Sequence, residues 1–439
     1  MRRSLATLAL AAAALALILS SAGCATNPVT GKSQVVLISE QQELEMGKQY
    51  YPMATQLSEG ETPHPEVQRL VQRVGMKMAQ LSERPNLPWE FNVVDDNTPN
   101  AYALPGGKIS ITRGLISKLE SEDQLAAVLG HEIGHVTARH SVVAASRDQL
   151  LGLALGVGGA VLRSEGVAGA GAIELAGQVG AALLTTKYSR DQERQSDELG
   201  MKYMVGAGYN PEAFVDTMRV LAAASQREPG KFDTLFASHP MNSERIATAN
   251  QRLAGGFAAE ARTRPRTTQA FSRAISPLRE EAPAFALADE GKALARQRQT
   301  AAAAEKFERA ATMVSRSPIL HAFWGDALYD LRQYDRAENV TDRASDLNPN
   351  LYYSRLVNGA ANWRLRNLQE ALEQLRSAER LIPQTVLVAF FAGRTFEDMG
   401  NRQAAAEQYA KVVQSTQGQG EYGQYAAGRL TEWGYLQQR

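Results

Sequence analysis

The sequence predicts an α+β, mostly helical domain with one small sheet, followed by an all-α solenoid. Three observations carry this. Apolar residues from Leu125 to Val136 recur every three to four positions without a proline, the period of a helix. Trp89, Phe91 and Val93, and later Ile109 and Ile111, alternate with polar neighbours, the period of a strand. Beyond Gly291 small residues recur every 34 positions, the mark of a repeat array.

Composition bounds the rest. A chain of 439 residues has room for two or three domains, and 44% hydrophobic residues supply a core. The formal net charge is +0, so there is no electrostatic case for binding nucleic acid. Cys24 is the single cysteine, which excludes a disulfide framework and a cysteine-based zinc site. Any metal here must be held by histidines and carboxylates.

Residues 1–23 read as a signal peptide: a basic start, an apolar run from Leu5 to Leu19, then Ser21-Ala22-Gly23. The run is too short for a transmembrane helix. Cys24 directly after Ala-Gly resembles a bacterial lipobox, with Ser21 where Leu is usual, and implies lipidation of Cys24. Ala25 is not an aspartate, which points such a lipoprotein to the outer membrane. Residues 24–39 then serve as a tether.

Helical patterning covers Glu40 to Leu57 and Pro65 to Leu81, with Pro65 at a first helical position. The strand around 89–93 and the strand Lys108-Ile109-Ser110-Ile111-Thr112 are separated by a turn at Asp95 to Asn100, and are expected to pair as a hairpin. Residues Lys108 to Thr112 are also assigned as an exposed edge on which an extended peptide substrate is added as a further strand. Ser121 supplies the N-cap of the next helix.

That helix carries His131-Glu132-Ile133-Gly134-His135. Residues four apart share a helix face, so His131 and His135 can grip one metal. Glu132, one step round, can reach a water held by that metal. The pattern is the zinc-peptidase signature. His140 lies roughly 140° round the helix from His135 and is read as a capping or surface residue. Ser141 stands where a third histidine ligand would fall, so a carboxylate from a second helix is required. Between the two, Leu150 to Leu162 and Val167 to Leu184 are apolar but too short to span a bilayer. They are read as a helical hairpin over the site or as extra core helices. Next comes Tyr188 to Gly200, with Glu193 and Asp197 four apart. In isolation that spacing fits a solvated charged face better than a ligand and its support.

Three segments together resemble the zinc metallopeptidase family of the CAAX prenyl protease and HtpX. They are Asn100-Ala-Tyr-Ala with Pro105-Gly-Gly, the His131–His135 helix, and Ser189-Arg-x-x-Glu193-x-x-x-Asp197. The resemblance implies a zincin-type metalloprotease domain over residues 40–255 that holds one Zn2+. It makes Glu193 the third ligand and Asp197 the support of a ligand histidine. Gln195-Ser196 departs from the Glu-Ala common in the family. Ser238-His239-Pro240, with Arg245 six residues past the histidine, matches the periplasmic branch. There the resemblance brings His239 to the zinc. It either stabilises charge on the attacked carbonyl or fills the fourth position and keeps the enzyme latent, with Arg245 as its anchor.

Residues 256–284 show no period, and Pro265 and Pro277 are expected to break any helix, so the stretch reads as a linker. In residues 285–439 the repeat is explicit. Gly291, Gly325, Gly359 and Gly393 are in register, as are Ala303, Ala337, Ala371 and Ala405. Small residues let paired helices approach, and Phe307, Leu375 and Tyr409 fill between them. This is the tetratricopeptide (TPR) pattern, about four repeats, whose concave face binds protein or peptide.

The sequence thus reads as an exported, lipid-anchored periplasmic zinc metalloendopeptidase acting on misfolded or stalled envelope proteins. Its TPR domain would recruit substrate or a partner such as outer-membrane assembly machinery. The alternative is a TPR chaperone or adaptor of the envelope with a latent or structural zinc site.

Overall fold

The computed structural model describes residues 24–154, 186–228 and 230–436. Residues 1–23, read from sequence as a signal peptide, and residues 155–185 of the apolar stretch lie outside the described residues. Among the described residues no helix is long and apolar enough to cross a membrane.

The expected tether folds onto the domain. β1 (Cys24–Thr26) and β2 (Ser33–Val35) pair antiparallel. Val36 and Ile38 then pack on Val142, and Leu37 N–H donates to Ser146 Oγ at 3.0 Å. α1 (Glu40–Leu57) starts in a capping box between Ser39 and Gln42, and α2 (Pro65–Ala79) carries Pro65 in its first turn.

The sheet corrects the expected hairpin. It contains β3 (Glu90–Val94), β4 (Ala101–Leu104) and β5 (Lys108–Thr112) in the order β3-β5-β4. β3 and β5 run parallel, and the hairpin partner of β5 is β4. Gly106 and Gly107 turn that hairpin at φ +75° and +85°, which glycine adopts without strain. Lys108, Ile109, Ser110, Ile111 and Thr112 are therefore the central strand, buried throughout, and not an edge that can receive a peptide. The four residues of β4 are too few and too uniformly apolar to show an alternation. One outer edge is closed by side chains: Gln72 Oε1 accepts from Phe91 N–H at 2.9 Å, and Gln68 bonds both Val93 N–H and Val93 C=O at 2.8 Å. Among the described strands this leaves β4 as the unpaired edge.

α3 (Arg113–Ile116) links the sheet to α4 (Glu122–Thr137), which Ser121 caps by accepting Gln124 N–H at 3.1 Å. α5 (His140–Ala154) follows, and later come α6 (Arg190–Gly206), α7 (Glu212–Arg227), α8 (Asp233–Ser238) and α9 (Ser243–Gly256). α4 and α6 cross at glycines. A Cβ on Gly130 would lie 2.9 Å from Gly200 O, and one on Gly134 would lie 3.0 Å from Ser196 Cα. Gly134, between the two motif histidines, thus lets the helix bearing Glu193 approach them.

The stretch expected as a linker is helical and packed: α10 (Ala258–Thr263), α11 (Gln269–Ala274) and α12 (Ser276–Arg296). Pro277 sits in the first turn of α12, where its missing N–H has no intrahelical partner to lose, and Pro283 lies inside that helix. Phe271, Ile275 and Leu278 join the core of α4, and Asp123 accepts from Thr267 N–H at 2.8 Å.

The solenoid continues with α13 (Thr300–Met313), α14 (Pro318–Asp330), α15 (Tyr334–Leu347), α16 (Tyr352–Arg364), α17 (Leu368–Leu381), α18 (Val386–Asp398), α19 (Arg402–Thr416) and α20 (Gly420–Glu432). Each repeat glycine faces a side chain of the partner helix, a large one in three of the four. Cβ atoms on Gly291, Gly325, Gly359 and Gly393 would lie within 3.0 Å of Phe307, Thr341, Leu375 and Tyr409. The turns repeat as well: Arg298, Arg332, Arg366 and Gly400 are left-handed, at φ +59°, +61°, +67° and +77°. A TPR-type solenoid is what these contacts build.

Candidate metal centre

Two helices and a loop converge. α4 presents His131 and His135 on one face. α6 begins at Ser189, whose Oγ caps Gln192 N–H, so Glu193 lies in its first turn. α8 ends with His239 N–H donating to Leu235 O at 2.8 Å; Pro240 follows, and Asn242 caps α9.

The donor atoms of His131, His135, Glu193 and His239 all lie within 4.8 Å of one another. His131 Nε2 is 3.0 Å from His135 Nε2 and 3.2 Å from His239 Nδ1. Glu193 Oε1 is 3.2 Å from His135 Nε2 and 3.2 Å from His239 Nδ1. Ligands at the zinc–nitrogen distance in a tetrahedron stand about 3.3 Å apart, so this set fits a zinc ion. Glu132 fits as well. It is buried with Oε2 lacking a hydrogen-bond partner, and its Oε1 is 3.7 Å from His239 Nε2.

The surrounding bonds fix which nitrogens face inward. His131 Nδ1–H donates to Asp197 Oδ1 at 2.9 Å. Asp197 is gripped by Arg245, Nε to Oδ2 at 2.9 Å and Nη2 to Oδ1 at 2.7 Å. Burial pushes the Asp197 carboxyl up, but His131 and Arg245 outweigh it and hold it below the usual range. Arg245 Nη1 also donates to Pro240 O at 3.1 Å and lies 2.6 Å from Glu193 Oε2, so one guanidinium ties the His-Pro loop to α6. Burial drives His135 far down, to the neutral form that ligates metal. Burial also lowers His239, but Glu132 and Glu193 overcome this and raise it. A cation sharing those carboxylates would compete with that proton.

His140 is neither cap nor surface. It is buried, its Nδ1 lies 2.9 Å from His135 Nδ1, and its Nε2 lies 3.0 Å from Gln195 Oε1. The α4–α5 break causes this: Arg139 adopts φ +60°, so the helical angle from His135 does not apply. Burial lowers the His140 imidazole to about 4, which keeps it neutral. Gln195 Oε1, the atom facing His140 Nε2, can only accept, so His140 carries its proton on Nε2 and accepts the His135 proton on Nδ1. His135 Nε2 is thereby left free for metal. Gln195, noted in sequence only as a departure from the family, ends this chain. Removing such supporting bonds weakens metal binding ~10–100-fold. His140→Phe is expected to fall in that range by chelator competition with the helical circular dichroism unchanged. Unaltered zinc affinity would remove His140 from this role.

Tyr188 was also missed. Its ring stacks on His135 with centroids 3.7 Å apart, and its hydroxyl pairs with Ser141 Oγ at 3.1 Å. It stands one residue before the α6 cap, where sequence pattern gives no sign of a ring contact. The structure brings the sequence-predicted His131, Glu132, His135, Glu193, Asp197, His239 and Arg245 together. Lys108–Thr112 contribute no edge, and Cys24 lies in β1, on the opening hairpin.

Residues 65–253 match the family described as Peptidase family M48. Mitochondrial metalloendopeptidase OMA1 of Schizosaccharomyces pombe is 31% identical over 187 residues, 42% of this chain and 52% of that protein. Beta-barrel assembly-enhancing protease of Escherichia coli is 28% identical over 234 residues, 52% of this chain and 47% of that protein. Metalloprotease YcaL of Escherichia coli is 27% identical over 177 residues, 38% of this chain and 64% of that protein. The chain thus spans about half the length of the first two relatives and under two thirds of the third. Among solved structures, YrrB, titled a TPR protein, is 21% identical with a TM-score of 0.30 over 47% of this chain and 97% of YrrB.

Proposed function

We propose that this protein, whose residues 65–253 match Peptidase family M48, is a zinc-dependent endopeptidase of the bacterial envelope whose TPR domain recruits protein. The observation that carries the activity is the convergence of His131, His135, Glu193 and His239 within 4.8 Å, with Glu132 beside them. His131, His135 and Glu193 hold the metal. Zinc, when bound, supplies a Lewis acid that polarises a carbonyl and acidifies water to a pKa of about 7. Glu132 takes a proton from the attacking water and returns it to the leaving nitrogen. Asp197, held by Arg245, fixes the His131 ring, and His140 fixes that of His135. β4 is the strand that aligns substrate: it is the unpaired edge, and Ala101 lines the same cleft as Glu132.

Misfolded or stalled envelope proteins are the proposed substrates. The support is a relative named for β-barrel assembly and the export signal read from residues 1–24. Cys24 carries the lipid that anchors the protein to the outer membrane, and assembly machinery there is the proposed TPR partner.

A second reading rests on His239, whose Nδ1 stands 3.2 Å from both His131 Nε2 and Glu193 Oε1, the spacing of neighbouring ligands around one metal. There it fills the fourth position and keeps the enzyme closed, leaving the TPR domain as the acting part. One experiment separates the two: casein cleavage by wild type, Glu132→Gln and His239→Ala, with zinc measured in each. Faster cleavage by His239→Ala marks a plug, and slower cleavage marks a residue that acts on the carbonyl. Equal casein cleavage by wild type and Glu132→Gln refutes the peptidase reading.

A further inference from the structure

Beside Glu132 the protein opens into an apolar cavity of about 60 Å³. Val128 of α4, Phe214, Met218 and Leu221 of α7, and Leu235 and Met241 on either side of His239 form its walls. Phe214, Met218 and Leu221 share one face of α7, and Val128 lies one turn before Glu132. Apart from Glu132 and the site histidines, the polar groups at the cavity are already paired. Thr217 Oγ1 donates to Ala213 O at 2.7 Å and so presents its methyl group. Asp197 and Arg245 satisfy each other at 2.7 Å. A polar occupant finds no free partner among these groups, and a charged one loses its hydration uncompensated.

Glu132 decides which part of a substrate lies here. Hydrolysis forms a C–O bond from water and breaks the C–N bond, and the proton taken from water must reach the departing nitrogen. A group that delivers that proton stands within hydrogen-bond reach of it. The nitrogen belongs to the residue after the scissile bond, so that residue hangs over the cavity that Glu132 lines. We propose that this cavity binds the side chain immediately following the scissile bond and selects medium to large apolar residues such as Leu, Ile, Met and Phe. The proposal rests on the peptidase reading and adds the substrate class.

The test is a degenerate peptide library cut by the zinc-loaded full chain, with cut sites read by mass spectrometry. A pocket that gains or loses a methylene contact discriminates by ~10–200-fold. Apolar residues are expected to exceed Asp, Lys and Gly by at least about tenfold after the cut. Met218→Phe shortens the cavity and shifts preference to Val and Ala; Met218→Ala admits Trp. Glu132-dependent cutting with Asp or Lys as frequent as Leu at that position overturns the proposal, as does a profile unchanged in both variants. If no Glu132-dependent cutting occurs, the peptidase reading fails separately. The cavity is then read by equilibrium binding of peptides differing only in Leu or Asp to zinc-loaded Glu132→Gln. Tighter binding of the Leu peptide, abolished by Met218→Phe, supports the pocket, and equal affinities overturn it.

Discussion

Glu132→Gln is expected to fold, hold one zinc and lose ~10²–10⁴ in peptide-bond cleavage, the range for removing a positioned acid–base group. The substitution keeps the volume of a side chain that is 2% exposed, so it opens no cavity in α4. His131, His135 and Glu193 remain, so the donor set fitted to zinc is intact. What is lost is a carboxylate whose Oε2 makes no hydrogen bond within the protein and is therefore free for a substrate-side proton. Zinc per chain by mass spectrometry and cleavage of an unfolded substrate check the two halves independently. Full zinc with full cleavage refutes the assignment of Glu132. Loss of zinc would mean that this residue holds the site together instead.

The helices and the repeat were legible because their periods are long and uninterrupted. The run ending at His135 shows helical spacing over about three turns, and the solenoid glycines are small because Phe307, Leu375 and Tyr409 lie against them. The sheet was less legible. β3 and β5 announce themselves by alternation, but β4 has four residues, all buried, and no alternation to read. Parallel pairing of β3 with β5 depends on which strand lies between which, and local pattern carries no such information. The proposed metal ligands His131 and His135 were readable from spacing on α4, and Glu193 only through family resemblance. His140 was misread because a helix was extended through Arg139, where the chain turns. Prolines misled at 277, since a first-turn proline starts a helix as readily as an interior one breaks it.

Glu281→Ala is expected to destabilise the protein by about 3–5 kcal/mol, the cost of leaving a buried ion-pair partner uncompensated. Glu281 Oε2 accepts from Arg113 Nη2 at 2.7 Å and from His64 Nε2 at 3.0 Å. Arg113 is 1% exposed, donates through Nε to Asp95 Oδ1 at 2.7 Å, and lies 3.7 Å over the Phe285 ring. Glu281 and Phe285 both belong to α12, the helix that opens the solenoid; Asp95 and Arg113 follow β3 and β5 directly. The cluster therefore bolts the solenoid to the sheet. Arg316 also donates to Glu281, at 3.0 Å, but its side chain is 61% exposed, so Arg316→Ala should cost at most about 1 kcal/mol. The pH dependence has a definite sign. Burial raises the Glu281 carboxyl, but His64 and Arg113 prevail and hold it at about 2 against an ordinary 4.5. A depressed folded value means that the stabilisation is complete above the unfolded value and fades as pH falls from 4.5 toward 2. The stability gap between wild type and Glu281→Gln should thus be widest near neutrality and narrow as the pH drops below 4.5 in denaturant unfolding. A gap that stays constant across that range would mean that Glu281 acts by packing and not by charge. If the bolt is what couples the two domains, Glu281→Ala should also split a single unfolding transition into two, which Arg316→Ala should not do.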